Sequence, residues 1–164
     1  MRIAIYWEQD DWGGVDTHLL TLLQTWPTSE DEFVLFYNKG NRGLTRIKQC
    51  LQQFNNVQLV EVVSYSYNEV ILRVSRILKQ RWQRAFLYFL QPLFYLFMVS
   101  RLSNAFRTAG QFDLLFSNNG AYPAAWGCQS AISAAAKVGI KKRFLMVHHE
   151  ATKLGRLMGW FDRL

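Results

Sequence analysis

The run RIAIYWEQDDWGGVDTHLLTLLQTW, Arg2 to Trp26, holds one complete strand, turn and helix. Arg2 to Trp7 is apolar on successive residues, without polar alternation, which is the pattern of a strand covered on both faces. Glu8 to Gly14 is polar and turn-prone. From Val15 the apolar residues Leu19, Leu20, Leu22, Leu23 and Trp26 recur at helical spacing until Pro27 stops them. A strand followed at once by a crossover helix is the unit from which parallel sheets are built.

The same alternation runs on along the chain. Phe33 to Tyr37 reads as a second strand, residues 44–54 as a short helix with Leu44, Ile47, Leu51 and Phe54 on one face, and Val57 to Val63 as a third strand. After a long helical region come a fourth strand (Phe112 to Phe116), an Ala-rich helix (Ala121 to Val138, ended by Gly139) and a fifth strand (Arg143 to Val147). The predicted fold is α/β, a Rossmann-like doubly wound parallel sheet. Ligands of such sheets gather at the carboxyl ends of the strands, so the loops at 8–14, 117–122 and 148–153 are expected on one rim.

Composition sets the outer bounds. A chain of 164 residues, 50% hydrophobic and 15% aromatic, has the apolar content of one ordinary domain and excludes disorder. Cys50 and Cys128 are too few and too far apart for a disulfide framework or zinc-ligand spacing, so a cytoplasmic setting is the default. No export signal is visible at the start of the chain. At the other end, Leu154, Leu157, Met158, Trp160, Phe161 and Leu164 are still in helical register, so residues 1–164 read as a domain incomplete at its C-terminus.

Charge is unevenly placed. The first 36 residues hold one basic and seven acidic residues, whereas residues 69–107, read as a helical insertion, hold seven basic and one acidic. There Arg73, Arg76, Lys79 and Arg84 share the polar face of a helix that becomes almost wholly apolar from Ala85 to Val99. Those fifteen residues rise about 22 Å, short of the roughly 30 Å hydrocarbon core, and Pro92 interrupts them. Two readings stand: an interfacial helix with Arg73, Arg76, Lys79, Arg84, Phe86 and Phe94 at an anionic membrane surface, or a crossover packed on the sheet or a partner domain. Nucleic-acid binding is not expected, because the basic residues flank a lipid-like stretch and no nucleic-acid motif is present.

Three motifs fall on the expected rim. Gly13-Gly14-Val15-Asp16-Thr17-His18 joins the first strand to the first helix, where free N–H groups favour a phosphate; alternatively the glycine pair only makes the turn. It lacks the third glycine of a dinucleotide fingerprint, and Tyr37-Asn38 end the second strand where that fold carries an acid, which disfavours a dinucleotide-dependent oxidoreductase. Asn118-Asn119-Gly120-Ala121-Tyr122 follows the fourth strand, as a plain turn or as contacts to an acceptor. His148-His149-Glu150 ends the fifth, where an imidazole can donate to a hydroxyl or take a proton, or simply cap the strand end. Adjacent histidines on an extended segment point to opposite sides. With His18 far away in sequence, no metal site is expected.

The order of these motifs resembles the N-terminal domain of glycosyltransferase family 4, enzymes of the two-domain GT-B fold. The residues that carry the likeness are the Met1-Arg-Ile-Ala-Ile strand, the Gly13-Gly14-Val15-Asp16-Thr17-His18 turn with Asp for the usual Glu, the strand Phe112 to Asn118, and Phe144 to His148 ending in Val-His. The resemblance implies a retaining transfer of sugar from a nucleotide-sugar donor to an acceptor, without metal or other cofactor. Gly13 and Gly14 would approach the donor diphosphate, and His148 would be catalytic. His18, Asn118, Asn119, Tyr122, His149 and Glu150 would face the acceptor, which is often lipid-linked in this family. The family's donor-binding C-terminal domain has no counterpart here, so this polypeptide alone is expected to have little or no transferase activity. The alternative is a non-catalytic α/β module that binds a membrane surface or a partner.

Overall fold

The computed structural model describes residues 1–10, 12–77, 80–118 and 125–148; of residues 80–85, 87 and 88 only the backbone is described. The elements follow in the order β1 (Arg2–Trp7), α1 (Gly14–Gln24), β2 (Glu32–Asn38), α2 (Leu44–Leu51), β3 (Val57–Val62), α3 (Tyr67–Ile77), α4 (Gln80–Ala109), β4 (Leu114–Asn118), α5 (Trp126–Lys137) and β5 (Lys142–Met146). The strands form one all-parallel sheet in the order β3-β2-β1-β4-β5. This is a Rossmann-like doubly wound α/β fold, with the chain running outward from β1 to β3 and then crossing back to place β4 beside β1.

Strand side chains alternate between faces, and that alternation divides the core in two. Ile3, Ile5 and Trp7 pack with Leu19 and Leu23 of α1 and Ile47 and Leu51 of α2. Ala4 and Tyr6 point the other way, into a cluster with Met98, Leu102 and Phe106 of α4 and with Cys128, Ala131 and Ala135 of α5. Small side chains on α5 let it lie close against α4 and the sheet.

Three expectations need correction. β4 begins two residues later than its apolar run, because Asp113 is tied to the first strand outside it: Arg2 N–H donates to its Oδ2 at 2.7 Å, and its own N–H donates to Arg2 O at 2.9 Å. The strand then continues through Ser117 and Asn118, polar yet fully buried. The two outer strands are only partly covered, with Gln58 and Glu61 of β3 and Lys142, Arg143 and Phe144 of β5 exposed, as befits sheet edges. Phe94 does not face solvent; it is 5% exposed and packs on the Tyr67 ring at 5.1 Å.

Residues 69–107 fall in the crossover between β3 and β4. α4 runs antiparallel to the strands: the Arg2 guanidinium donates to Ala109 O at the strand starts, and the Ser64 hydroxyl donates to Met98 sulfur just past the end of β3. Tyr95 OH donates to Ser133 Oγ at 2.6 Å, which sets α4 beside α5. The helix before Gln91 therefore stands beyond the carboxyl ends of the strands, eleven residues from Gln80 to Leu90, or about 16 Å. No helix among the described residues is long and apolar enough to cross a membrane.

Candidate functional site

The strand order reverses between β1 and β4, and the crevice at their carboxyl ends is where doubly wound sheets bind ligands. Trp7 is in register with Asn118, and Asn118 with Met146, so the ends of β1, β4 and β5 lie level. Asn118 is the hub. Its Nδ2 donates to Val15 O at 3.2 Å, tying β4 to the first turn of α1, and its Oδ1 lies 3.1 Å from His148 Nε2. With the amide nitrogen committed to Val15, the oxygen faces His148 and can only accept, so Nε2 carries the proton and Nδ1 is the basic nitrogen of the neutral ring.

His18, one turn into α1, meets His148 edge to face, with ring centroids 4.8 Å apart and planes at 76°. The Nδ1 of His18 is buried and has no hydrogen-bond partner among the described residues. A buried polar atom without a partner is uncommon in folded proteins. No group of three or more His, Cys, Asp or Glu suited to a metal occurs among the described residues.

The glycine turn is built differently from the sequence expectation. Gly13 is extended, at φ −160° and ψ −162°, and Gly14 opens α1, so neither has the positive φ that would require glycine. Gly13 N–H donates to the Asp16 carboxylate, whose other oxygen accepts from Trp7 Nε1 at 2.8 Å. Asp16 is thereby buried and spent on the turn. Burial pushes its carboxyl above the ordinary value, opposed by the hydrogen bonds from Gly13 and Trp7. Gly14 is exposed, with nothing among the described residues within 4 Å of where a Cβ would stand. Asp16→Ala is expected to lower stability by about 2 kcal/mol, because it leaves the Trp7 and Gly13 donors unpaired. A urea titration followed by tryptophan fluorescence checks this, and an unchanged midpoint would refute the turn-holding role.

Of the residues named from sequence, the structure thus brings together His18, Asn118 and His148, with Gly13 and Gly14 at the adjoining helix start. Asn119, Tyr122, His149 and Glu150 lie outside the described residues, as do Lys79 and the side chain of Arg84. Arg73 and Arg76 are exposed on α3 and Phe86 on α4. An open surface groove of about 340 Å³ between β3 and α4 is lined by neither imidazole.

Sequence reasoning missed Glu8. It directly follows β1, 6% exposed, accepting from Tyr6 OH at 3.0 Å and from Tyr67 N–H at 3.3 Å. Burial pushes its carboxyl up to about 7, against the pull of the hydrogen bonds from Tyr6 and Tyr67. The one signal in the sequence was an acid placed immediately after an apolar run.

The fold and this rim define a Rossmann-like α/β domain with a polar, imidazole-bearing switch point. The sequence matches no protein-family model, and comparison with curated proteins found no match.

Proposed function

We propose that the chain is the acceptor-side domain of a retaining glycosyltransferase of the GT-B kind, acting on a nucleotide-sugar donor held by a second domain. The observation that carries this reading is the His18–Asn118–His148 cluster at the β1/β4 switch point, beside the N-terminus of α1. Asn118, spent on Val15 O and on His148 Nε2, fixes the His148 ring, and the two imidazoles are the groups of the cluster that can read sugar hydroxyls. Asn118 orients the His148 ring, and His148 contacts the sugar at the reacting end. Among the described residues Gly14 leaves its side of the helix N-terminus free for the donor diphosphate. Gly13 N–H is already held by Asp16, so the diphosphate contact falls to Gly14. A lipid-borne acceptor would place the protein peripherally on the inner face of a membrane.

The test is glycan binding to this chain, followed through the imidazole resonances of His18 and His148. Acceptor-type oligosaccharides are expected to shift both, and Asn118→Ala to weaken binding roughly tenfold by releasing the His148 ring. Shifts with no glycan, or shifts unaffected by Asn118→Ala, would refute the reading.

A further inference from the structure

We propose that the exposed apolar face of α4 from Phe86 to Phe97 is a docking surface for an anionic lipid bilayer. It carries Phe86, Phe89, Leu93, Leu96 and Phe97, at spacings of three, seven, ten and eleven residues from the first, which is one continuous stripe along a helix. Phe89 is 71% exposed and Leu93 63%, values that few large apolar side chains of a folded protein reach together on one face. The same face changes character at Ser100 and continues as Arg101, Asn104 and Arg107, all exposed. The change comes next to Met98, the level at which α4 passes the end of β3. C-terminal to Met98 the helix wears an ordinary polar surface, and N-terminal to it, toward and past the rim, its exposed face is apolar.

Charge identifies the occupant. The Arg101 guanidinium lies over the Phe97 ring at 5.1 Å and the Lys39 ammonium over the Tyr65 ring at 5.8 Å, so cations border the apolar face at two places. Glu69, the one acid of residues 69–107, is paired with Arg73 at 2.9 Å. Between the cations lies an apolar groove of about 490 Å³, walled by Val63, Tyr65, Val70, Leu90, Leu93 and Phe97. Aromatic and aliphatic side chains flanked by arginines suit the boundary between acyl chains and anionic headgroups. A protein partner binding the same face would need acidic residues around its own apolar patch. Because the overhang and the His18–Asn118–His148 cluster share one end of the sheet, docking would hold the cluster close to the lipid surface. The proposal stands without the sugar-transfer reading, since lipid binding is measured with no sugar present.

Co-sedimentation of the full chain with vesicles of phosphatidylcholine, with and without phosphatidylglycerol, tests it. Binding is expected on the anionic vesicles and should fall with salt. Phe89→Glu with Leu93→Glu should weaken it at least roughly tenfold while far-ultraviolet circular dichroism stays unchanged. Arg76→Gln and Arg101→Gln should each cost about fivefold on anionic vesicles only. Absence of wild-type binding, equal binding to neutral vesicles, or an unaffected double-glutamate variant would each overturn the proposal. So would a lipid-free dimer that the double-glutamate variant dissociates, which would assign the face to a second copy of the chain.

Discussion

Gly127→Ala is expected to destabilise the fold by about 3 kcal/mol, the upper range for forcing one extra methyl into a packed interior. Gly127 sits in the buried first turn of α5, against the carboxyl end of β1. A Cβ there would stand 1.4 Å from Glu8 Oε2, 2.5 Å from Glu8 Cδ and 2.9 Å from Tyr6 OH. Glu8 is held on both oxygens and is itself buried, so it cannot swing aside into water. The effect should be coupled: Glu8→Ala opens the space that the new methyl needs, and the double variant should be more stable than the two separate losses added together. A double-mutant cycle by thermal unfolding measures this. Additive losses, or a Gly127→Ala protein with the wild-type midpoint, would show that Glu8 does not occupy the position described.

The second large effect is a loss of stability with rising pH, set by the same carboxyl. Glu8 takes up its proton at about 7 in the folded protein, against an ordinary value of 4.5. Between those values the native state binds a proton that the unfolded chain has released, so stability falls as pH rises through the window and levels off above it. A shift of this size corresponds to about 3 kcal/mol across the window. Glu8→Gln keeps the shape, its oxygen accepting from Tyr67 N–H and its amide nitrogen donating to the Tyr6 hydroxyl oxygen, but cannot ionise, so it should flatten the fall and be the more stable protein at pH 8. Parallel slopes for wild type and Glu8→Gln would refute the assignment.

How much of this was legible in the sequence depends on the element. The central strands were readable because β1 and β2 are apolar on both faces, and helix spacing alone placed α1 and α2. The end of β4 was not legible from apolar pattern, since Ser117 and Asn118 look like loop residues although pairing with β1 and β5 buries them; only the family likeness carried the strand to Asn118. Within the candidate site, the rim rule picked out Asn118 and His148. It could not pair His148 with His18, because that contact depends on how α1 lies across the sheet and has no trace in local spacing. Glu8 was hidden for the opposite reason: its neighbours Gln9 and Asp10 made it read as solvated loop, while α5, more than a hundred residues later, is what covers it. The split between the apolar and polar halves of α4's exposed face follows where the sheet ends beneath the helix, which only the assembled fold reveals.

The position of β1 between β2 and β4 also makes the site depend on the most distant strand pairing of the sheet. The first three strands and their two helices can associate through near-neighbour contacts, but this leaves one edge of β1 unpaired and His18 without its companions. Asn118 and His148 arrive only after the long helical crossover has been laid down and β4 has found β1, a pairing of residues about a hundred positions apart. The imidazole cluster therefore depends on a long-range pairing, and its two halves are joined across the β1–β4 seam. A ligand that touches both His18 and His148 would act as a clasp across that seam, favouring the assembled protein by mass action and slowing its parting.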